Sequence, residues 1–276
     1  PIKSSAASDV YKRQLVICAD PLDAVRLGQE IPWFSPELGV RSLPDWETLP
    51  YDVLSPQEDI VSERLETLYR MTSGTKGLDV VIASAVTAAQ RMAPVAYVGA
   101  NTFFFRPGDT LSVEGLRSNL AAAGYAGVKQ VLAAGEFAVR GSIIDVFPMG
   151  SDRPFRLDLF DDEIESIRWF DVETQRSMEA VNEIRLLPGH EFPVTPEAVT
   201  GFRQRWRTRF AGDPGKSLVY RDIGNGVLPP GIEYYLPLFF EQTATLADYL
   251  SAGTRVVLVG DVQTAVSYTH LTLPTT

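Results

Sequence analysis

The sequence predicts an α/β fold carrying a second, antiparallel α+β part, and three observations support that prediction. Residues 15–104 alternate apolar runs with amphipathic helical stretches, the order expected of a parallel sheet covered by helices. From about residue 105 the segments shorten and become β-rich between turns, as in a small antiparallel domain. After residue 190 a helical period returns, and the pattern closes on a uniformly apolar strand, "RVVLVGDV".

"LVICAD" reads as a short buried strand, and "DPLDAVRLGQEI" as the helix after it, with Pro21 in its first turn. "SPQEDIVSERLETLYRM" carries a helix start: Ser55 as N-cap, Pro56 at the first helical position and Glu58 three residues beyond the cap. Ile60, Val61, Leu65, Leu68 and Tyr69 form its apolar stripe. "GLDVVIASA" is apolar throughout, as in a parallel strand covered on both faces. "LSVEGLRSNLAAAGY" predicts a short helix stopped by Gly124. "EFAVRGSIIDVFP", "PFRLDLF", "EIESIRWFD" and "MEAVNEIRLLP" predict the strands of the antiparallel part. "PGHEFP" is a crossing point, after which Phe202, Trp206 and Phe210 recur every four residues on one helix face.

Composition bounds the function. A chain of 276 residues, 45% of them hydrophobic, is long enough for two or three domains with real cores. Its net charge of −10 argues against a nucleic-acid-binding fragment, because neutralising phosphates takes Lys and Arg. The single cysteine, Cys18, has no partner for an internal disulfide, which points to a reducing, cytoplasmic setting and a buried thiol. No apolar run approaches the roughly 20 residues that span a bilayer, and the first residues lack a signal peptide's apolar core. Both ends break the pattern of their neighbours. Residues 1–14 and 266–276 read as a non-native leader and tail of the kind translated from sequencing adapters, with native sequence expected from Leu15 to Ala265. His270 falls in that tail, leaving His190 as the histidine to consider.

The densest charge in the chain is "RLDLFDDEIESIRWFD", which brings Asp158, Asp161, Asp162, Glu163 and Glu165 close together. Strand alternation sends Leu157 and Leu159 to one face and Arg156, Asp158 and Phe160 to the other. "DD" then falls where a hairpin turn belongs. A hard metal ion needs about six converging oxygens, whereas a turn splays these carboxylates outward, so the solvated hairpin is preferred to a metal site. Alternation leaves Phe160 on the wet face beside Arg156, with Arg140 on a neighbouring strand. Two readings are open there: a protein-binding hot spot, or a ring folded over the domain edge with arginines that offset nearby acids. Other chemistry finds little footing. "GTKG" lacks the spacing of a phosphate loop, and Asp261 in "VVLVGDV" is followed by Val262, with no second carboxylate to activate water. No Gly-x-Ser-x-Gly elbow is present, and His190 reads as a linker residue. Arg203, Arg205, Arg207 and Arg209 are expected to fan over the solvated face of their helix.

Four stretches carry a family resemblance: "PDWETLPYDVLSPQEDIVSERLETLY", "GEFAVRGSIIDVFPMGSDRPFRLDLFDDEIESIRWFDVETQRS", "LLPGHEFP" and "LPPGIEYYLPLFF". The chain resembles the amino-terminal region of the bacterial transcription-repair coupling factors, and is similar to the repair helicase subunit UvrB in its "RG…IDxFP…FDDE" pattern. The resemblance implies a degenerate RecA-like (P-loop NTPase-type) domain 1A over residues 15–104. It implies an inserted antiparallel α+β UvrA-interaction domain 2 over 105–190 and part of domain 1B over 191–265. UvrB's tyrosine- and glycine-rich hairpin and its Asp-Glu pair have no counterpart in "IASAVTAAQRMAP" and "VVLVGDVQ", which favours the coupling factors over a UvrB-type damage-recognition helicase that binds DNA directly. In that family domain 2 binds UvrA and recruits excision repair to RNA polymerase stalled at DNA lesions. Carried over residue by residue, the UvrA-binding positions are Arg140, Arg156 and Phe160. The two arginines are expected to make charge-assisted contacts and the ring to anchor them. The resemblance further implies a non-catalytic fragment without cofactor, in a cytoplasmic bacterial protein with no membrane partner. ATP and Mg, and contacts with RNA polymerase and DNA, would belong to the motor and other parts of a longer parent.

Overall fold

The computed structural model describes residues 13–49, 53–74 and 77–272, with side chains as far as residue 267. The expected leader therefore lies almost wholly outside the described residues, as do Thr75 and Lys76 of "GTKG", the last four residues of the expected tail and the side chain of His270. The chain opens with β1 (Gln14–Cys18), α1 (Pro21–Phe34), β2 (Val40–Leu43), α2 (Glu58–Thr72), β3 (Val80–Ser84), α3 (Ala85–Ala89) and α4 (Val95–Ala100). Next come β4 (Phe103–Phe105), α5 (Val113–Ala122), β5 (Ala126–Gly127), β6 (Glu136–Arg140), β7 (Ile143–Val146), β8 (Phe155–Phe160) and β9 (Glu163–Phe170). It closes with β10 (Ser177–Ala180), β11 (Ile184–Leu186), α6 (Pro196–Arg209), α7 (Leu218–Gly224), β12 (Arg255–Val259) and α8 (Val262–Thr272). The result is a mixed α/β chain with parallel and antiparallel sheets, as the sequence predicts. It forms two compact units, one from the described parts of Pro1–Asp45, Thr67–Gln90 and Ala244–Thr276, the other from Trp46–Glu66 and Arg91–Thr243.

In the first unit four parallel strands lie in the order β12-β1-β3-β2. Every residue of β3 is buried, as its unbroken apolar run requires. Ala24, Leu27 and Ile31 of α1 pack on Val16, Cys18, Val80 and Ile82. Cys18 is a free, buried thiol, as expected. Asp20 caps α1 by accepting from the Leu22 amide at 2.8 Å. Asp261, the acid at the end of the β12 segment, accepts from the Thr264 amide at 3.1 Å and the Thr264 hydroxyl at 2.7 Å, which holds the first turn of α8.

The second unit is built on six strands in the order β10-β9-β8-β7-β6-β5, antiparallel except for the β5–β6 pair. One face of this sheet is apolar and buried through Phe137, Ile144, Val146, Leu157 and Ile167. Helix α5 lies against β5 and β6 and buries Leu116 and Leu120. It stops at Gly124, whose φ of +91° suits glycine and where a Cβ would meet His190 at 2.7 Å. A second core gathers Phe202 and Trp206 of α6 with Phe192, Tyr220 and Phe239. Phe210, the third member of the predicted stripe, caps the helix and stays 39% exposed.

Three local expectations need correction. Ser55 does not start α2, which begins three residues later at Glu58. Its hydroxyl donates to Glu233 at 2.9 Å and accepts from the Gly231 amide at 3.0 Å, so the 231–233 segment takes the group that a capping box would need. The α6 arginines do not simply fan into solvent. Arg205 donates to the Leu238 carbonyl at 3.0 Å, and Arg203 and Arg207 lie over the Tyr220 ring at 4.7 and 5.7 Å. Nor is His190 merely a linker. Its ring stacks on Phe192, and burial lowers its pKa from the ordinary value to about 4, so it is held neutral.

Candidate protein interface

The acidic stretch is a hairpin. Strand β8 runs out to Phe160, Asp161 and Asp162 make the turn, and β9 returns with Phe160 paired to Glu163. Asp161 takes a φ of +53°, a backbone state that Asp tolerates better than most residues. Ile164 is buried, whereas Asp161, Asp162, Glu163 and Glu165 are exposed. Asp158 accepts from Ser166 Oγ at 3.0 Å across the hairpin. The carboxylates are thus spread along a wet edge. Among the described residues no three His, Cys, Asp or Glu side chains come together in a group able to hold a metal ion.

The face opposite the apolar core is built in rows by the strand register. Ala138, Asp145, Arg156 and Arg168 form one row across β6 to β9, and Arg140, Ile143, Asp158 and Ser166 form the next. Phe160 lies two residues further along β8, at the end where the β6–β7 turn sits: the Leu159 amide donates to the Ser142 carbonyl at 2.9 Å. Two residues of strand advance by roughly 7 Å, so Arg140 and Phe160 occupy adjoining rows of one surface. Alternation places them correctly: Leu157 and Leu159 are buried, whereas Phe160 is 70% exposed.

At the centre of the face is Asp145, which is fully buried. Arg156 grips both of its oxygens, with Nε to Oδ1 at 2.6 Å and Nη2 to Oδ2 at 3.0 Å. The other terminal nitrogen of Arg156 donates to the Gln175 carbonyl at 3.2 Å and Ser177 Oγ at 3.1 Å. Its guanidinium also lies over the Phe170 ring at 5.0 Å. The hydrogen bond to Asp145 raises the pKa of Arg156 above the ordinary value against the opposing effect of burial, and attraction to Asp145 and Asp158 adds to it. Arg140 pairs with Oδ2 of the same carboxylate, yet its side chain is 48% exposed, compared with 15% for Arg156. One buried acid therefore holds two arginines, one turned inward and one reaching outward.

The structure thus brings Arg140, Arg156 and Phe160 onto one sheet face. Sequence reasoning missed Asp145, although a signal was present. In "GSIIDVFP" it is the lone charge in an apolar strand, and such a charge requires a partner on the adjoining strands.

A sheet with one face in the core and an exposed aromatic beside arginines on the other has the composition common at protein-interaction surfaces. Residues 103–192 match the family model of the UvrB interaction domain. The chain is 44% identical over 252 residues to the transcription-repair-coupling factor of Escherichia coli (strain K12), covering 91% of this chain and 22% of the relative. The corresponding protein of Haemophilus influenzae is 45% identical over 253 residues, again with 91% and 22% covered, and that of Bacillus subtilis (strain 168) is 26% identical over 269. The chain therefore spans about a fifth of the length of the curated relatives it matches. Over these stretches the chain is similar to the transcription-repair coupling factors, with the match to the UvrB interaction domain at residues 103–192.

Proposed function

We propose that this chain is a docking module that binds UvrA through the sheet face bearing Arg140, Arg156 and Phe160, and so recruits nucleotide excision repair to stalled RNA polymerase. The observation that carries this reading is the 70% exposure of Phe160 in the row next to the half-exposed Arg140, inside the stretch that matches the UvrB interaction domain. A large ring left in water on an otherwise well-packed sheet gains roughly 1.5–3 kcal/mol when a partner covers it. The neighbouring guanidinium offers charge-assisted hydrogen bonds that orient the partner. On the same reading the four-stranded parallel unit is a degenerate RecA-like domain and the chain is non-catalytic. ATP, Mg, DNA and RNA polymerase would engage segments that the longer relatives possess.

Calorimetric titration of the chain with UvrA tests the proposal. Phe160→Ala and Arg140→Ala should each weaken binding by at least about 2 kcal/mol, the hot-spot threshold, while the far-ultraviolet circular dichroism spectrum stays that of the wild type. Wild-type affinity in both variants would refute the assignment.

A further inference from the structure

We infer that Asp145 is the positioning residue of this docking face, and that Arg156 acts through Asp145 rather than by touching the partner. The inference rests on the docking reading above and divides its residues into two kinds. Four N–H donations of Arg156 are already made inside the protein: two to Asp145, one to the Gln175 carbonyl and one to Ser177 Oγ. Its side chain is only 15% exposed. A guanidinium with so many donors engaged has little left to offer a partner, because it carries five N–H groups in all.

Arg140 is arranged differently. Its contact with Asp145 Oδ2 ties one end of the guanidinium to the sheet while the side chain remains 48% exposed. The register explains the link: Asp145 faces Ala138 on β6, two residues from Arg140, so Arg140 reaches it diagonally across a small side chain. Asp145 is in turn fixed by the two-pronged grip of Arg156 from the directly opposed position on β8. The order of support is thus Arg156, Asp145, Arg140, and Arg140 is the member that projects. A long, flexible arginine held in its binding orientation before the partner arrives loses less rotamer freedom on association. Arg140 and Phe160 touch the partner, and Asp145 and Arg156 decide where Arg140 is.

A double-mutant cycle tests this, with UvrA titrated calorimetrically into wild type, Asp145→Asn, Arg140→Ala and the double variant. Asp145→Asn should weaken binding about tenfold in the wild-type background and by less than about twofold when Arg140 is already alanine, because a residue that acts through Arg140 has nothing left to position. Arg156→Lys, which keeps the charge and loses the two-pronged grip, should show the same dependence on Arg140, and it answers the question if Asp145→Asn fails to fold. Full multiplication of the two effects, or wild-type affinity in folded Asp145→Asn and Arg156→Lys while Arg140→Ala is weak, would overturn the positioning role and leave the docking face standing. Wild-type affinity in Arg140→Ala would overturn the positioning role, and the docking reading falls with it only if Phe160→Ala also binds as tightly as the wild type.

Discussion

Glu191 sits almost fully buried between two partners: Arg64 donates to it through Nε at 2.6 Å and Nη2 at 3.2 Å, and Trp46 Nε1 at 3.1 Å. Removing one side of a buried ion pair leaves the other charge stranded, at roughly 3–5 kcal/mol. Glu191→Gln is therefore expected to lower the unfolding free energy by about that amount, read from the shift of the urea midpoint. His190, next in sequence, provides a pH test. Its folded-state pKa of about 4 lies below the value of an unfolded histidine. The unfolded chain therefore takes up a proton between about pH 6.5 and 4 that the folded chain does not, and stability falls as pH drops through that window. The loss should amount to about 3–4 kcal/mol, complete near the folded pKa and absent above the unfolded one. Thermal melts from pH 7 to 4 should show this extra slope in the wild type and lose it in His190→Gln. An unchanged slope would contradict the account. These residue-scale facts were hardly legible in sequence. Arg64 lies within a helix whose other charges look solvated, and nothing local says that Glu191, more than a hundred positions away, closes on it.

At the scale of elements, the β8–β9 hairpin was legible nearly to the residue. Period-two alternation named the faces of Leu157, Leu159 and Phe160, and the two aspartates marked the turn. The positive φ of Asp161 yields a prediction. Asp161→Val, whose branched side chain resists that backbone state, should destabilise by roughly 1–2 kcal/mol, whereas Asp161→Gly should be neutral or mildly stabilising in urea unfolding. Equal stability of the two variants would show that the turn does not need the left-handed residue. Helix α2 was legible in its stripe but not in its start, because Ser55 had a choice between a local cap and the distant 231–233 segment, and only the fold decides between them. The same holds for α6. Its aromatic face was read correctly, but two of its arginines stack on Tyr220, which lies on α7 and is invisible to a helical period.

Across the whole molecule, the mixed α/β character and the change to antiparallel strands could be read along the chain. The interleaving of the two compact units could not, because residues 46–66 belong with a unit whose remainder starts at residue 91. Of the proposed docking face, Arg140, Arg156 and Phe160 were legible by alternation and by resemblance, whereas the signal of the buried Asp145, a lone charge in an apolar strand, went unread. No helix among the described residues is long and apolar enough to cross a membrane. The central claim is that the sheet face ending at Phe160 meets UvrA, and site-specific photo-crosslinking tests it most directly. A benzophenone amino acid replacing Phe160, mixed with UvrA and irradiated, should give a covalent adduct, whereas the same probe at the exposed Leu218 of α7 should give none. Adducts of equal yield from both positions, or an adduct from position 218 alone, would contradict the account.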